Sequence, residues 1–142
     1  MVANLGAMDQ NNVVVMESEL RSLVEQIFIK LGVPLIDAQT AADVLVTTDL
    51  RGVESHGVSG QFSSYVEDYR NGITNPDPVV TIVRETSASA NLDCDKGLGI
   101  IVAPKAMEIA ISKAAVQGVG MVTMHNTRHM GCLLYTSPSP RD

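Results

Sequence analysis

Aromatic residues are scarce in this chain of 142 residues, at 4% of the sequence and with no tryptophan. The core must therefore be built mainly from Val, Ile, Leu, Ala and Met. A hydrophobic content of 45% is that of a globular chain and argues against disorder. At this length the chain forms one domain of ordinary size or a piece of a larger protein.

Other absences exclude whole classes of protein. The formal net charge is −6, so the chain lacks the excess of basic residues that binding to nucleic acid requires. No apolar run approaches the ~18–20 residues of a membrane span, and the first residues lack the basic and apolar segments of a signal peptide. Two cysteines, Cys94 and Cys132, cannot build a disulfide framework. We therefore expect a cytoplasmic protein with neither nucleic-acid nor membrane partners.

Three apolar stripes with helical spacing occupy the first half of the chain. They predict helices over 20–31, 37–50 and 58–69, after a flexible arm at 1–15. Gly32 stands where a helix ends, and two glycines interrupt the pattern between the second and third stripes. The first stripe consists of Leu20, Leu23, Val24, Ile27, Phe28 and Leu31.

After the rigid segment "ITNPDP" the hydrophobic period changes from helical to alternating. Two strands are predicted over 80–83 and 88–94, then a helix over 100–117 with Pro104 in its first turn, then a buried strand. The fold class is therefore α+β: a helical region over 16–74, followed by the start of a non-Rossmann α/β domain (β-β-α-β) over 77–131. "GLG" at 97–99 is interpreted as a tight turn into the helix, because Val102 replaces the third glycine of a dinucleotide fingerprint.

The last residues raise the possibility of a metal site. His125, His129 and Cys132 are zinc ligands by type, and they would suit a small zinc-dependent hydrolase. However, "CLLYTSPSPRD" at 132–142 resembles the in-frame translation of a sequencing adapter, which would make the tail non-native and the chain truncated after Gly131. Without Cys132 the site loses a ligand, so we predict no metal.

A second group of functional side chains lies in "DLRGVESHG" at 49–57. Asp49, Arg51, Glu54, Ser55 and His56 are crowded there between two predicted helices. Such a segment is either a capped polar connection or a loop whose side chains converge on a cleft, where a histidine suits proton transfer. If it is only a turn, the three helical stripes would instead suit a non-enzymatic helical interaction module.

Three segments, "DLRGVESHGVS…YVEDYRNGITNPDP", "LDCDKGLGIIVAPKAMEIAISKA" and "GVGMVTMHNTRHMG", resemble the malate/L-lactate dehydrogenase family in order and with small gaps over about 17–131. The resemblance implies a non-Rossmann oxidoreductase that uses NAD or NADP and a small 2-hydroxy or 2-oxo acid. It also implies that a full-length member is a homodimer.

The resemblance implies roles for individual residues. His56 matches the histidine of the family's Ser-His-Gly segment, and His129 matches the histidine of its Asn-x-x-His-x-Gly segment. Members differ in which of the two is called the acid/base, so both are predicted catalytic residues, while His125 matches no family histidine and is interpreted as structural. Ser55 and Arg51 are the candidate substrate contacts.

The chain departs from the family pattern in two respects. Many members carry a basic residue shortly after Ser-His-Gly, whereas Gly60 and Gln61 stand there in this sequence. That departure leaves the anchor for a substrate carboxylate open. Complete members are more than twice as long, so the cofactor-binding residues are expected to lie mostly beyond residue 131.

Overall fold

The structure is a computed structural model that describes residues 14–131. Residues 14–131 form four helices and a small sheet, and the last helix packs on that sheet. The helices are α1 (Glu17–Lys30), α2 (Leu35–Leu50), α3 (Phe62–Arg70) and α4 (Gly99–Gln117), with a 3₁₀ turn at Glu54–His56, and the strands are β1 (Thr81–Glu85), β2 (Ser89–Asp93) and β3 (Met121–His125). The predicted α+β class and the β-β-α-β order are confirmed. The predicted arm at 1–15 lies mostly outside the described residues. The predicted adapter tail at 132–142 lies entirely outside them.

The sheet is mixed and has the order β1-β2-β3. β1 and β2 form an antiparallel hairpin with an irregularity between Ile82 and Arg84, and β2 pairs with β3 in parallel. α4 is the crossover between the two parallel strands, as a parallel connection requires. The carboxyl ends of β2 and β3 therefore lie side by side, at Asp93 and His125.

α4 joins the two hydrophobic cores found within residues 14–131. Near its start, Ile100 and Ile101 pack with the buried side chains of α1, α2 and α3. Val102 and Ala106, on its other side, pack against Leu92 and the rest of the sheet core. Lys105 Nζ lies 3.0 Å from Asp37 Oδ2 and adds a polar contact between α4 and α2. The sheet and the helices are thereby held in one arrangement.

Two boundaries differ from the sequence-based prediction. α3 begins at Phe62 rather than Val58, because residues 57–61 form a turn packed against the 3₁₀ turn. α4 begins at Gly99, which puts Pro104 in its second turn instead of its first. None of the helices between residues 14 and 131 is both long enough and apolar enough to cross a membrane.

Candidate active site

His56 is the last residue of the 3₁₀ turn that follows α2. Gly52 has a left-handed backbone (φ +76°), which glycine adopts at little cost, and its N–H donates to the Asp49 carbonyl at 2.8 Å. The Val53 N–H donates to the Thr48 carbonyl at 3.1 Å. These bonds fix the direction in which the chain leaves α2 and so place the half-buried His56.

His129 lies in the segment after β3, which packs on the start of α4. The Arg128 N–H donates to the Gly97 carbonyl at 2.9 Å, and the Gly99 N–H donates to the His129 carbonyl at 3.0 Å. A Cβ atom on Gly99 would lie 2.6 Å from Met130 Cα. The glycine is therefore required for this close approach.

The tight turn lies at Asp95 and Lys96, just before the predicted 97–99. The Gly97 N–H closes it by donating to the Cys94 carbonyl at 2.7 Å. Residues 97–99 lead from this turn into α4 and contact the segment that carries His129.

Tyr65 connects α3 to His129. Its hydroxyl lies 2.7 Å from His129 Nδ1, and the Gly131 N–H donates to the same nitrogen at 3.3 Å. Because an amide N–H can only donate, His129 Nδ1 is an acceptor, and the neutral imidazole carries its proton on Nε2. Burial, reinforced by the negative charge of Asp68, raises the pKa of Tyr65 to about 12. The phenol therefore keeps its proton and donates it to the hydrogen bond.

The two predicted catalytic histidines lie together. The ring centroids of His56 and His129 are 5.8 Å apart, with 22° between the ring planes. Ser55 Oγ lies 2.8 Å from His56 Nδ1, while Tyr65 supports the other ring. His129 is exposed, so the pair is open to a small molecule from solvent. Such a pair can exchange a proton with an oxygen and donate a hydrogen bond to it.

The remaining predicted residues are not part of this pair. Arg51 is exposed at the C-cap of α2, and within residues 14–131 no hydrogen bond or ion pair joins its side chain to either histidine. His125 lies at the end of β3, with Nε2 3.7 Å from Asp93 Oδ2. Across the part of the chain that the structure describes, no three His, Cys, Asp or Glu side chains form a metal-binding group. Cys132 is outside that part.

Sequence reasoning missed two contributors to the site. Tyr65 belongs to the apolar stripe at 58–69 and is buried as that stripe predicts, but its hydroxyl reaches His129. A buried tyrosine usually finds a hydrogen-bond partner for its hydroxyl, and this preference is the signal that the sequence offers. The sequence places Asp49 in the polar segment 49–57 without indicating a role, and the structure shows that it holds the backbone just after His56, with Oδ2 2.9 Å from the Val58 amide nitrogen.

Comparisons with known proteins agree with this architecture. The profile of the malate/L-lactate dehydrogenase family matches residues 15–139, so the chain belongs to that family. A malate dehydrogenase from Pyrococcus abyssi is 42% identical over 92% of this chain, and an L-sulfolactate dehydrogenase from Methanocaldococcus jannaschii is 44% identical over 82% of it. The structure of malate dehydrogenase from Pyrococcus horikoshii superposes with a TM-score of 0.85, at 41% identity over 92% of this chain.

The chain is much shorter than these relatives. It spans 36% of the P. abyssi enzyme, 34% of the M. jannaschii enzyme and 37% of the P. horikoshii structure. The family match also extends into the segment 132–142, whose interpretation as a translated adapter stays a prediction.

Proposed function

We propose that this chain is the amino-terminal part of an oxidoreductase that transfers a hydride between NAD or NADP and a small 2-hydroxy acid of the malate or lactate type. The observation that carries the proposal is the stacked pair of His56 and His129, one ring held by Ser55 and the other by Tyr65. Relatives named as malate and sulfolactate dehydrogenases support the substrate class.

The hydrogen bonds suggest a division of roles between the histidines. Because His129 Nδ1 accepts from Tyr65 and Gly131, the Nε2–H is left to donate to an oxygen of the substrate. The hydroxyl of Ser55 can accept from His56 Nδ1–H, which leaves Nε2 of His56 free to take a proton. We assign the proton transfer to His56 and the contact with the substrate oxygen to His129.

Oxidation of the alcohol then balances as follows. A bound nicotinamide would supply the redox chemistry by accepting the hydride that leaves the hydroxyl-bearing carbon when its C–H bond breaks. The hydroxyl proton goes to His56, and the oxygen, held by His129, becomes the carbonyl of a 2-oxo acid. In the reverse direction the protonated His56 returns the proton to the oxygen.

The substrate carboxylate requires a positive or hydrogen-bonding partner. A Cβ atom on Gly60 would lie 2.6 Å from the Glu54 carbonyl oxygen, so this loop conformation has no room for a basic side chain at position 60. Ser55 and the exposed Arg51 are the substrate contacts that we propose instead. Replacing Arg51 should therefore raise KM more than it lowers kcat, since a carboxylate contact is present in both ground and transition states.

The glycine segment 97–99 does not form a cradle for a dinucleotide. Its Gly99 packs against the backbone of residues 128–130, which leaves no space for phosphates there. We therefore assign the contacts with NAD or NADP to the part of the relatives' length that this chain does not span. What the present chain contributes is the proton transfer and the hold on the substrate oxygen.

A chimera tests the proposal. Residues 15–131 would replace the matching segment of the P. horikoshii malate dehydrogenase, a structure that superposes closely. Formation of NADH or NADPH would be measured with malate, sulfolactate and lactate, and the unmodified P. horikoshii enzyme is the control. We expect turnover of at least one of the three acids. A folded chimera that is inactive with all three acids and both cofactors would contradict the proposal.

A further inference from the structure

The carboxylate of Asp49 contacts the backbone immediately after His56. Asp49 is in the last turn of α2, and its Oδ2 accepts the Val58 N–H at 2.9 Å and the Ser59 N–H at 3.4 Å. The Ser59 hydroxyl lies 3.5 Å from the same oxygen. One oxygen thus serves three donors, and it joins the end of a packed helix to the loop 57–59.

Gly57 makes room for this contact. Its backbone is extended (φ −92°, ψ −159°), so the residue is not required for a left-handed conformation. A Cβ atom there would instead overlap the Asp49 carboxylate group. The glycine of Ser-His-Gly therefore has a steric role: only a residue without a side chain lets the carboxylate lie against the chain beside His56.

We propose that Asp49 is a positioning residue for His56, acting through the geometry of its hydrogen bonds to the loop 57–59 and not through its charge. His56 lies between two anchored stretches. Before it, the His56 N–H donates to the Val53 carbonyl at 3.0 Å. After it, the loop 57–59 is held by Asp49. With both sides fixed, the imidazole is held in its stacked position on His129.

The two oxygens of Asp49 allow geometry and charge to be separated. Oδ2 makes all three contacts, whereas Oδ1 is buried and has no hydrogen-bond partner within residues 14–131. An asparagine could therefore keep its carbonyl oxygen at the Oδ2 position while losing the charge. Asp49→Asn should preserve the position of His56, and Asp49→Ala should not. The role of the His56 position in catalysis rests on the proposed function.

The test uses NMR spectroscopy of the 142-residue chain. Amide exchange of Val58 and Ser59 and the NOE between the rings of His56 and His129 would be compared in Asp49→Asn, Asp49→Ala and Gly57→Ala. We expect about 5-fold faster exchange in the last two variants, which corresponds to a loss of roughly 1 kcal/mol of hydrogen-bond stabilisation of the loop, together with a weaker NOE. Asp49→Asn should resemble the unmodified chain. Asp43→Asn, an exposed carboxylate on the same helix, is the control.

The outcomes separate this inference from the proposed function. Core amides such as that of Leu45 report whether each variant is folded, and Gly57→Ala carries the test if Asp49→Ala unfolds. Unchanged exchange and NOE in the folded Ala variants would overturn the inference. A weakened NOE in Asp49→Asn equal to that in Asp49→Ala would overturn it too, since it would show that charge matters. None of these measurements requires enzymatic activity, so an inactive chimera would leave the positioning result intact.

Discussion

At the scale of single residues, two buried phenols on one face of α3 differ in what their hydroxyls contact. The Tyr65 hydroxyl reaches His129 Nδ1, whereas the buried hydroxyl of Tyr69 has no hydrogen-bond partner within residues 14–131. An intramolecular hydrogen bond contributes about 0.5–1.5 kcal/mol to stability, while an unsatisfied buried hydroxyl is a cost. The two tyrosines should therefore respond in opposite ways to removal of the oxygen.

We expect Tyr65→Phe to lower the free energy of unfolding by about 1 kcal/mol and Tyr69→Phe to leave it unchanged or raise it. Urea denaturation of the two variants measures the difference. Tyr65→Phe should also change the ¹⁵N chemical shifts of the His129 imidazole, because Nδ1 loses its phenol donor, while Tyr69→Phe should not. A larger loss of stability in Tyr69→Phe than in Tyr65→Phe would contradict this account.

The raised pKa of Tyr65, about 12, predicts how stability depends on alkaline pH. In the unfolded chain a tyrosine loses its proton near its ordinary pKa of ~10, so between these values the folded state binds more protons than the unfolded state. The free energy of unfolding should therefore fall as pH rises from about 10 to 12. Urea denaturation at several pH values in this range tests the prediction. The free energy of unfolding of Tyr65→Phe should fall less steeply with pH. If the stability of Tyr65→Phe depended on pH in the same way as that of the unmodified chain, Tyr65 would not contribute to the fall.

At the scale of secondary-structure elements, Gly99 connects the start of α4 to the segment that carries His129. A Cβ atom there would lie 2.7 Å from the carbonyl oxygens of Arg128 and His129. Gly99→Ala should displace the segment and weaken the ring contact between His56 and His129, at a cost of about 1–3 kcal/mol for the overpacking. NMR signals of His129 and urea denaturation measure both effects.

Gly118→Ala is the matched control for Gly99→Ala on the same helix. A Cβ atom on Gly118 would have nothing within 4 Å, but its φ of +78° strains an alanine. The control should therefore lose about 1–2 kcal/mol of stability while the signals of His129 stay in place. If Gly99→Ala leaves those signals unchanged, the close approach at Gly99 does not position His129.

The spacing of hydrophobic residues predicts much of the architecture, but it does not predict the site. Val24 and Phe28 are buried as the first stripe predicts, but Leu23 from the same stripe is 55% exposed, because a stripe defines a face and not its edges. β1 is exposed at all five positions, since nothing in the described chain covers it. The contact between His56 and His129 depends on tertiary packing between distant segments, which no local spacing reveals.

At the scale of the whole molecule, several large apolar side chains on α4, on β3 and in the connection between them are exposed. Met107, Ile111, Val116, Val119 and Met121 are each at least 60% exposed, and β3 is an edge strand. Exposed apolar patches and open strand edges promote association. We expect the isolated chain to self-associate with rising concentration, and we expect no saturable binding of NADH.

Sedimentation velocity and NADH fluorescence titration test these two expectations. Ile111→Lys should reduce self-association, while Ser112→Lys, which adds the same charge at the next exposed position on α4, should reduce it less. Equal effects of the two lysines would show that charge, and not the apolar surface, controls association. Saturable NADH binding by the isolated chain would show that the cofactor site is more local than we propose.

The segment 132–142 is best tested at the level of the gene. The nucleotide sequence that encodes it should match a sequencing adapter if the prediction is correct. The family match to residue 139 makes this a real test, because a native continuation would encode family-like residues there. A coding sequence unrelated to any adapter would refute the prediction.

The most direct measurement of the central claim is kcat of the chimera with His56→Ala, His129→Ala and His125→Ala. General acid–base catalysis contributes about 10²–10⁴-fold, so His56→Ala should lower kcat by that factor with little change in the affinity for the cofactor. His129→Ala should also lower kcat, because the substrate oxygen loses its donor. His125→Ala, which changes a histidine beside Asp93 and away from the pair, should retain near-normal kcat. Near-normal kcat in both His56→Ala and His129→Ala would contradict the account.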